Sequence, residues 1–250
     1  MKHGNAFIAI GLMLFALFFG AGNLIFPPFL GQQAGTDIVP AILGFLITGC
    51  GLPLLGVASV GWSGKNLQGM GGRVAPWYGV FMVAAISLTI GPCFAIPRTC
   101  STSYEMSIVP LLGQLGQTGL FVYSLVFFAL TWWLAVTPTK LVDRVGKLLT
   151  PIMLVLLFAL FAAYVIAPMG EWQPPAAAKY ADGLSSFSSG FIEGYNTMDV
   201  LAMLAFSVVV INTLKELGVS DARTISVDLL KVGIIVVFLM ALIYTLITWL

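Results

Sequence analysis

The sequence predicts an all-α, polytopic membrane protein with about seven transmembrane helices, of which the first and the sixth are broken near their middles. Three observations predict this class. Of the 250 residues, 59% are hydrophobic and only 8% are charged, whereas a soluble domain has roughly 25% charged residues. The apolar residues form runs close to the ~20 residues that a spanning helix needs, rather than the alternating segments of a β-barrel. Two of these runs carry glycines and polar residues at their centres.

The seven runs also predict an orientation. They cover approximately residues 6–30, 38–60, 77–96, 120–136, 148–167, 191–214 and 232–250. With the N-terminus in the cytoplasm, nine of the eleven basic residues fall in or beside cytoplasmic segments. Only Arg98 and Lys179 fall on the outer side of the membrane. This asymmetry follows the positive-inside rule, so we expect a multi-pass protein with a cytoplasmic N-terminus. No basic stripe remains that would indicate binding to nucleic acid.

The first run is interrupted at residues 18–28, FFGAGNLIFPP, where two glycines, an asparagine and two prolines lie within apolar sequence. A plain membrane anchor requires none of these residues. Because the hydrocarbon contains no water, unwound backbone is tolerated only where protein buries it or where it lines a cavity. The interruption therefore predicts a binding site near the middle of the membrane.

The third run ends with two prolines five residues apart, Pro92 and Pro97. We expect these prolines to kink or end the helix. Arg98 follows near the outer interface, and the sequence leaves two interpretations open. Either Arg98 guides a carboxylate into an outer vestibule, or it pairs with Glu105 or extends to the lipid headgroups.

The sixth run contains Glu193 and Asp199, the only two side chains within the predicted spans that are ionised at neutral pH. Each costs about 2.5 to 3.5 kcal/mol at a helix centre, so both are candidates for function. We expect Asn196 or Thr197 to cap a second half-helix, which places Asp199 in its first turn. Asp199 then either stabilises the helix N-terminus or coordinates a cation, carries a proton or meets an amine. Glu193 is nearer the outer surface and is predicted to be solvated.

The two interruptions are predicted to lie at the same depth. They stand roughly 20 Å and 22 Å from the inner ends of their helices at 1.5 Å per residue. They are also five spans apart on helices of opposite direction, as two five-helix repeats of inverted topology would require. Paired interruptions of this kind indicate a transporter binding site, for which the LeuT fold is the standard example.

The broken ends predict what the site binds. Carbonyls that end the first half-helix form a negative pole suited to a cation or an ammonium group, and amides that begin the next form a positive pole suited to a carboxylate. Together they match a zwitterion. The predicted substrate contacts are Phe19, Gly20, Ala21, Gly22, Tyr195, Asn196 and Met198. Ordinary helix packing remains the alternative for the aromatic and methionine side chains.

A coupled cation is predicted to lie beside the same interruptions. The candidates for binding it or carrying a proton are Ala16, Phe19, Asn23, Thr197 and Asp199, and a sodium ion would be held by Ala16, Phe19 and Asn23. Asn23 has an alternative role as the N-cap of the outer half-helix. We expect no cofactor beyond the coupling ion, sodium or a proton.

Three motifs on three separate spans carry a family resemblance. FFGAGNLIFPP, TIGPCFAIPRT at residues 89–99 and EGYNTMDVLAMLAF at residues 193–206 closely resemble the branched-chain amino acid carriers of the BrnQ type. The resemblance implies a LeuT-like fold in the amino acid, polyamine and organocation superfamily. It implies symport of leucine, isoleucine and valine with sodium or a proton across a bacterial inner membrane. It also implies that residues 20–23 and 194–199 are the unwound segments that touch substrate and ion.

The chain stops inside its seventh apolar run, so we expect a fragment of such a carrier. It would form a single transmembrane domain, 1–250, with the first repeat at about 5–168 and an incomplete second repeat at about 184–250. The principal hypothesis is a carrier with an aliphatic amino acid and membrane lipid as partners, not an enzyme. The alternatives are an intramembrane enzyme with Glu193 and Asp199 as an acid pair, which lacks His, Ser or Cys partners, and a passive channel. The sequence ranks neither the three substrates nor the two ions, and it does not indicate an oligomeric state.

Overall fold

The computed structural model describes residues 11–12, 14–15, 18–63, 65–113, 115–136, 150–166, 175–216 and 222–249, which form helices and short turns with no β-strand among them. The α-helices are α1 (Ala21–Ala34), α2 (Ile38–Leu46), α3 (Leu52–Ser63), α4 (Leu67–Gly71), α5 (Pro76–Leu88), α6 (Ala95–Leu112), α7 (Gly116–Ala135), α8 (Thr150–Ile166), α9 (Gly183–Asn196), α10 (Asp199–Glu216) and α11 (Ala222–Thr248). Two π-helical segments, Ile47–Gly51 and Thr89–Cys93, follow α2 and α5.

Much of the surface is apolar. Within the described ranges, four helical stretches are long and apolar enough to cross a membrane: Gly22–Ser63, Pro76–Leu112, Gly116–Ala135 and Ser226–Thr248. Large apolar side chains such as Trp62, Leu111 and Trp132 are exposed on them, and α7 has no buried residue. Extended apolar surface of this kind is typical of helices that face lipid. The all-helical class expected from the sequence is confirmed for the described residues, and the four apolar stretches are consistent with a membrane protein.

The chain reverses direction between α1 and α2. Gly35 ends α1 with φ of 47°, a left-handed conformation suited to glycine, and its N–H donates to the carbonyl oxygen of Gly31. A short 3₁₀ turn, Gly35–Asp37, then leads into α2. Before this turn, α1 runs through Pro27 and Pro28 without ending. The prolines therefore do not contribute to the interruption of the first span, which is confined to the residues before α1.

Small residues bring α2 and α9 into backbone contact. A Cβ added to Gly44 would overlap with the backbone of α9, and one added to Gly190 or Gly194 would overlap with the backbone of α2. The hydroxyl of Thr48 donates to the carbonyl oxygen of Phe191 across this interface, at 2.7 Å. Glycines four residues apart and hydroxyl hydrogen bonds are typical of tightly packed membrane helices. This interface holds the end of α9 in a defined place.

The helix α11 supplies much of the core by packing against α1 and α3. Its fully buried side chains are Leu229, Val232, Val236, Met240 and Tyr244. Near its start, Ser226 Oγ donates to the carbonyl oxygen of Gly61 at 2.5 Å. The packing of α11 carries Tyr244, in its last turns, into the centre of the molecule.

The third predicted span is longer than expected. A kink at Gly91, with φ of −80° and ψ of −115°, separates α5 from α6, and α6 then continues to Leu112. Pro92 lies within the kink, whereas Pro97 lies in the first turn of α6, where its missing N–H would have no helical partner. Pro92 thus accompanies a kink in this helix, and neither proline ends it. Arg98 consequently lies in the first turn of α6, just after the kink.

The helix α9 begins at Gly183, eight residues before the predicted start of the sixth span at residue 191. Asp182 caps it, because its side chain accepts from the amides of Leu184 at 3.0 Å and Ser185 at 2.8 Å. The hydrogen bond from the Ser185 amide, with others from Ser185 and Leu184, lowers the pKa of Asp182. A cap of this kind stabilises helix starts, which explains the earlier boundary.

Candidate functional site

The first interruption lies between helical residues that end at Phe18 and the start of α1. Phe19 and Gly20 leave the helix, and Gly20 is extended with φ of −111° and ψ of −171°. Gly20 is the N-cap of α1, so the alternative that assigned this position to Asn23 is wrong. Asn23 is the third residue of α1, and its Oδ1 accepts from the amide of Gly20 at 3.0 Å. Its side chain thereby completes the cap from within the helix.

The second interruption consists of two residues between α9 and α10. Thr197 and Met198 leave the helix, and Met198 has φ of 62°, which side chains other than glycine rarely adopt. The carbonyl oxygen of Met198 accepts from the amide of Leu201 at 3.1 Å and so caps α10. The prediction that Asn196 or Thr197 caps this helix is therefore wrong. Asp199 is the first residue of α10, as expected.

A buried carboxylate cluster of Asn23, Asp199 and Tyr244 joins the two interruptions. Asn23 Nδ2 donates to both carboxylate oxygens of Asp199, at 2.9 and 3.0 Å. The Tyr244 hydroxyl donates to Asp199 Oδ2 at 2.7 Å and also contacts Asn23 Nδ2. The three side chains are 2%, 4% and 0% exposed. One carboxylate thus fastens α1, α10 and α11 together out of contact with solvent.

The hydrogen bonds decide the orientation of the Asn23 amide. The amide of Gly20 needs an acceptor and the carboxylate of Asp199 needs donors, so the oxygen of Asn23 faces Gly20 and its nitrogen faces Asp199. The oxygen predicted as a sodium ligand is consequently engaged by Gly20, with one lone pair left. Ala16, the predicted carbonyl ligand, lies outside the described residues. Within the described ranges, no group of three or more His, Cys, Asp or Glu residues could hold a metal ion.

A cavity of about 480 Å³ opens beside the second interruption. It is lined by Phe26, Phe94, Arg98, Tyr195, Asn196, Met198, Val200 and Leu201. Arg98 is the one charged residue in this lining, and most of the others are apolar. Small-molecule sites typically have volumes of about 300–1,000 Å³, apolar walls and a few placed polar groups. The cavity therefore has the size and chemistry of a site for a small, largely aliphatic molecule.

Arg98 bridges the two interrupted helices at this cavity. Its Nη1 donates to the carbonyl oxygen of Asn196, the last residue of α9, at 3.2 Å. Its Nη2 lies 3.2 Å from the position that a Cβ of Gly22 would occupy. The guanidinium also lies over the rings of Phe26 and Phe94, with its carbon 5.2 and 5.3 Å from their centroids. Cation–π contacts of this kind fix the plane of the guanidinium.

Glu193 differs from Asp199 in its partner. Glu193 is 8% exposed, so the prediction that it is solvated is wrong. Its Oε1 forms an ion pair of 2.8 Å with Lys179, which lies in the 3₁₀ turn Ala178–Tyr180 that precedes α9. Burial raises the pKa of Tyr180 to about 12, and the negative charge of Glu193 adds to this shift. Glu193 is thus neutralised by the chain itself, whereas Asp199 is bound by neutral donors.

The structure brings together some of the predicted substrate residues and separates others. Tyr195, Asn196 and Met198 line the cavity, and Gly22 lies against Arg98 at its edge. Phe19 is buried away from the lining, with its ring stacked 6.4 Å from that of Tyr244. Gly20 and Ala21 form the N-cap and first residue of α1.

The unwound segments are shorter than the resemblance implied. Within residues 194–199 only Thr197 and Met198 are non-helical, and within residues 20–23 only Gly20 is. Gly194 serves close packing against α2. The hydroxyl of Thr197, a predicted cation ligand, donates to the carbonyl oxygen of Gly194 at 2.8 Å.

Sequence reasoning did not assign Tyr244 or the aromatic walls Phe26 and Phe94 to the site. The available signal for Tyr244 was that it is the single tyrosine of the seventh run. The alternative that pairs Arg98 with Glu105 is wrong, because no ion pair joins these two residues within the described part of the chain. Tyr244, Phe94 and Arg98 come from segments far from the interruptions in sequence, whereas Phe26 lies in α1 just after the first interruption.

A family model described as branched-chain amino acid transport protein matches residues 3–250. The chain belongs to this family. The family is described as one of transport proteins and not of enzymes, which argues against the acid-pair alternative.

Curated relatives agree with this assignment. The branched-chain amino acid permease BraB of Bacillus subtilis is 44% identical over 248 residues, which cover 98% of this chain and 55% of the relative. The branched-chain amino acid permease BrnQ of the same organism is 44% identical over 240 residues, covering 95% and 54%. The chain thus spans about half the length of the curated relatives it matches. No solved structure matches it.

Proposed function

We propose that this protein carries branched-chain amino acids across a bacterial inner membrane by symport with sodium or a proton. The observation that carries the proposal is the meeting of two interrupted helices at one buried carboxylate, beside an apolar cavity. The names of the permeases BraB and BrnQ support leucine, isoleucine and valine as the substrates. A LeuT-like arrangement of inverted repeats, with a cytoplasmic N-terminus, accounts for the paired interruptions.

The cavity suits an aliphatic amino acid. Phe26, Phe94, Met198 and Leu201 provide apolar walls for a branched side chain. A buried CH₂ group contributes about 0.8 kcal/mol, so the wall contacts favour leucine over smaller amino acids. The charged ends of a zwitterion fit the polar groups where the two interruptions meet.

Asp199 is the group through which the coupled cation acts in this proposal. Its carboxylate sits between the two interruptions, so a change in its charge alters the hydrogen bonds that hold both. A sodium ion would replace one of the donors around it, whereas a proton would occupy one of its oxygens. A potential of 100 mV is worth about 2.3 kcal/mol per charge, which sustains a substrate gradient of roughly 40-fold.

Alternating access would use the interruptions as hinges. The tightly packed pair of α2 and α9 moves as one body, because its backbones are in contact along Gly190 and Gly194. The side chains around Asp199 join α10 to α1 and α11, whereas α1 and α11 also have their backbones in contact where Gly31 faces Thr248. Release of the carboxylate cluster would therefore free one group of helices to rock against the other.

The direct test is uptake of radiolabelled leucine by the intact protein in liposomes, under imposed sodium or proton gradients. We expect concentrative uptake under at least one gradient, with inhibition by unlabelled isoleucine and valine. In Asp199→Asn, we expect gradient-driven accumulation to fall at least about tenfold, since a cation would lose its charged partner.

Glu193→Gln provides a matched control, because it neutralises the other buried carboxylate of the same span without touching the carboxylate cluster. We expect this variant to retain gradient-driven uptake if it folds, as judged by thermal unfolding. Uptake that ignores both gradients would contradict symport. If Asp199→Asn still accumulated leucine as the wild type does, Asp199 would be excluded from coupling the cation to transport.

A further inference from the structure

Arg98 has donors that no described residue uses. A guanidinium carries five N–H groups, and one of them binds the carbonyl oxygen of Asn196. Within the described part of the chain, no carboxylate forms an ion pair with Arg98. The side chain nevertheless lies at the wall of the cavity, between the rings of Phe26 and Phe94. Its remaining donors are therefore available to a molecule in the cavity.

The nearby carboxylates have other partners. Asp199 interacts with Arg98 electrostatically, but its oxygens are bound by Asn23 and Tyr244. Glu193, on α9, is paired with Lys179. A cation without a contacting counter-ion is costly within a membrane protein, so such residues mark ligand pathways. The missing partner of Arg98 is an anionic group.

We propose that Arg98 binds the carboxylate of an amino acid held in this cavity and thereby selects substrates that carry that group; this rests on the proposed function, since it takes the occupant to be an amino acid. The planar fork of a guanidinium matches a carboxylate through two parallel N–H···O hydrogen bonds. Phe26 and Phe94 hold the guanidinium in a fixed plane. The aliphatic side chain then contacts Met198 and Leu201 on the apolar wall.

Gly22 is part of the same arrangement. A Cβ at this position would lie 3.2 Å from Arg98 Nη2, closer than most real contacts. The missing side chain thus lets the guanidinium rest against the backbone of α1, beside the amides that begin this helix. Through Arg98, a bound carboxylate would contact the spans on both sides of the cavity at once.

The test compares leucine with leucinamide, which keeps the side chain and the amino group but lacks the carboxylate. Each competes with radiolabelled leucine for uptake by the intact protein in liposomes. In the wild type we expect leucinamide to inhibit about 10- to 100-fold more weakly than leucine, as hydrogen bonds to charged groups predict. In Arg98→Gln we expect inhibition by leucine to weaken by this factor and inhibition by leucinamide to change little. Arg98→Lys, which keeps the charge without the fork, should retain part of the discrimination.

Arg73→Gln is the matched control, because Arg73 is an exposed arginine that does not line the cavity. It should leave the discrimination unchanged. Thermal unfolding of each variant establishes that it folds. If folded Arg98→Gln still discriminated leucine from leucinamide, the proposal would be overturned. Arg98 would then only connect α9 to α1 structurally. Equal inhibition of the wild type by leucine and leucinamide would overturn it without any variant.

The two proposals fail in different ways. Wild-type leucine uptake tests transport, whereas the ratio between the two inhibitors tests Arg98. If the wild type takes up no leucine, stabilisation against thermal unfolding by each compound becomes the readout. Preferential stabilisation by leucine that Arg98→Gln abolishes would support Arg98 while contradicting transport. Equal stabilisation by both compounds, or none, would overturn the assignment of Arg98 as well.

Discussion

The first interruption passes through Gly20 in an extended conformation, whereas the second passes through Met198 with φ of 62°. Extended backbone is open to any residue, and a left-handed conformation costs a residue with a Cβ about 1–2 kcal/mol. The first interruption is thus relaxed, and the second is strained. Strain of this kind persists only where the surroundings hold it in place.

The contacts around Met198 explain what holds it. The residue after it, Asp199, is bound by Asn23 and Tyr244, and the end of α9 before it is bound by Arg98. The same groups are the candidates for binding the cation and the substrate carboxylate. Ligand binding would therefore act on the strained interruption first, while the relaxed interruption follows through Asn23.

The largest expected effect comes from Gly194, the glycine beside the second interruption. Gly194→Ala places a Cβ on the carbonyl oxygen of Phe45 and the hydroxyl of Thr48. Backbone atoms cannot yield easily, so we expect a loss of about 2–3 kcal/mol in the free energy of unfolding, measured by denaturant titration in detergent.

Gly20→Ala is the control, because a Cβ there would meet its nearest atom, Asn23 Oδ1, at 3.7 Å. We expect a loss within about 1 kcal/mol, the range for replacing a glycine N-cap. Equal losses of unfolding free energy in the two variants would contradict a special role of Gly194 in packing α9 against α2.

A smaller effect of opposite sign is expected at Met198. Met198→Gly removes the Cβ that the left-handed conformation crowds, so we expect the free energy of unfolding to rise by about 1 kcal/mol. Val200→Gly, two residues into the regular helix α10, should lower it by a similar amount. If Met198→Gly were less stable than the wild type, the strain at the second interruption would be contradicted. Packing of the methionine side chain would then contribute more to stability than the strain costs.

The first interruption was predictable because its glycine acts locally. Extended backbone before Ala21 and a helix that starts there follow from the sequence around Gly20 alone. The position of Asp199 in the first turn of α10 was predictable because a carboxylate stabilises a helix N-terminus, although the predicted capping residues were wrong.

The second interruption was placed only approximately, because glycine has two uses in membrane helices. Gly194 permits close approach of α2, and nothing local to it distinguishes this use from a break in the helix. The unwound residue is Met198, whose left-handed backbone is imposed by contacts with other helices. Helix α6 was missed for a related reason, since Pro97 is harmless in a first turn and disruptive further along.

The partners of Asp199 and the wall of the cavity depend on tertiary packing. Tyr244 lies 45 residues after Asp199, and Arg98 lies 98 residues before Asn196. No spacing rule links residues at such separations. The residue types were informative, since a phenol and a guanidinium within apolar sequence mark functional positions. The residues that they contact could not be predicted from the sequence.

A double-mutant cycle between Asn23 and Asp199 tests most directly whether the two interruptions are joined at one carboxylate. The free energies of unfolding of the wild type, Asn23→Ala, Asp199→Ala and the double variant give the interaction energy of the pair. Two hydrogen bonds to a buried carboxylate predict an interaction of at least about 1.5 kcal/mol. Losses that add to within about 0.5 kcal/mol would contradict a direct contact between the two interrupted helices.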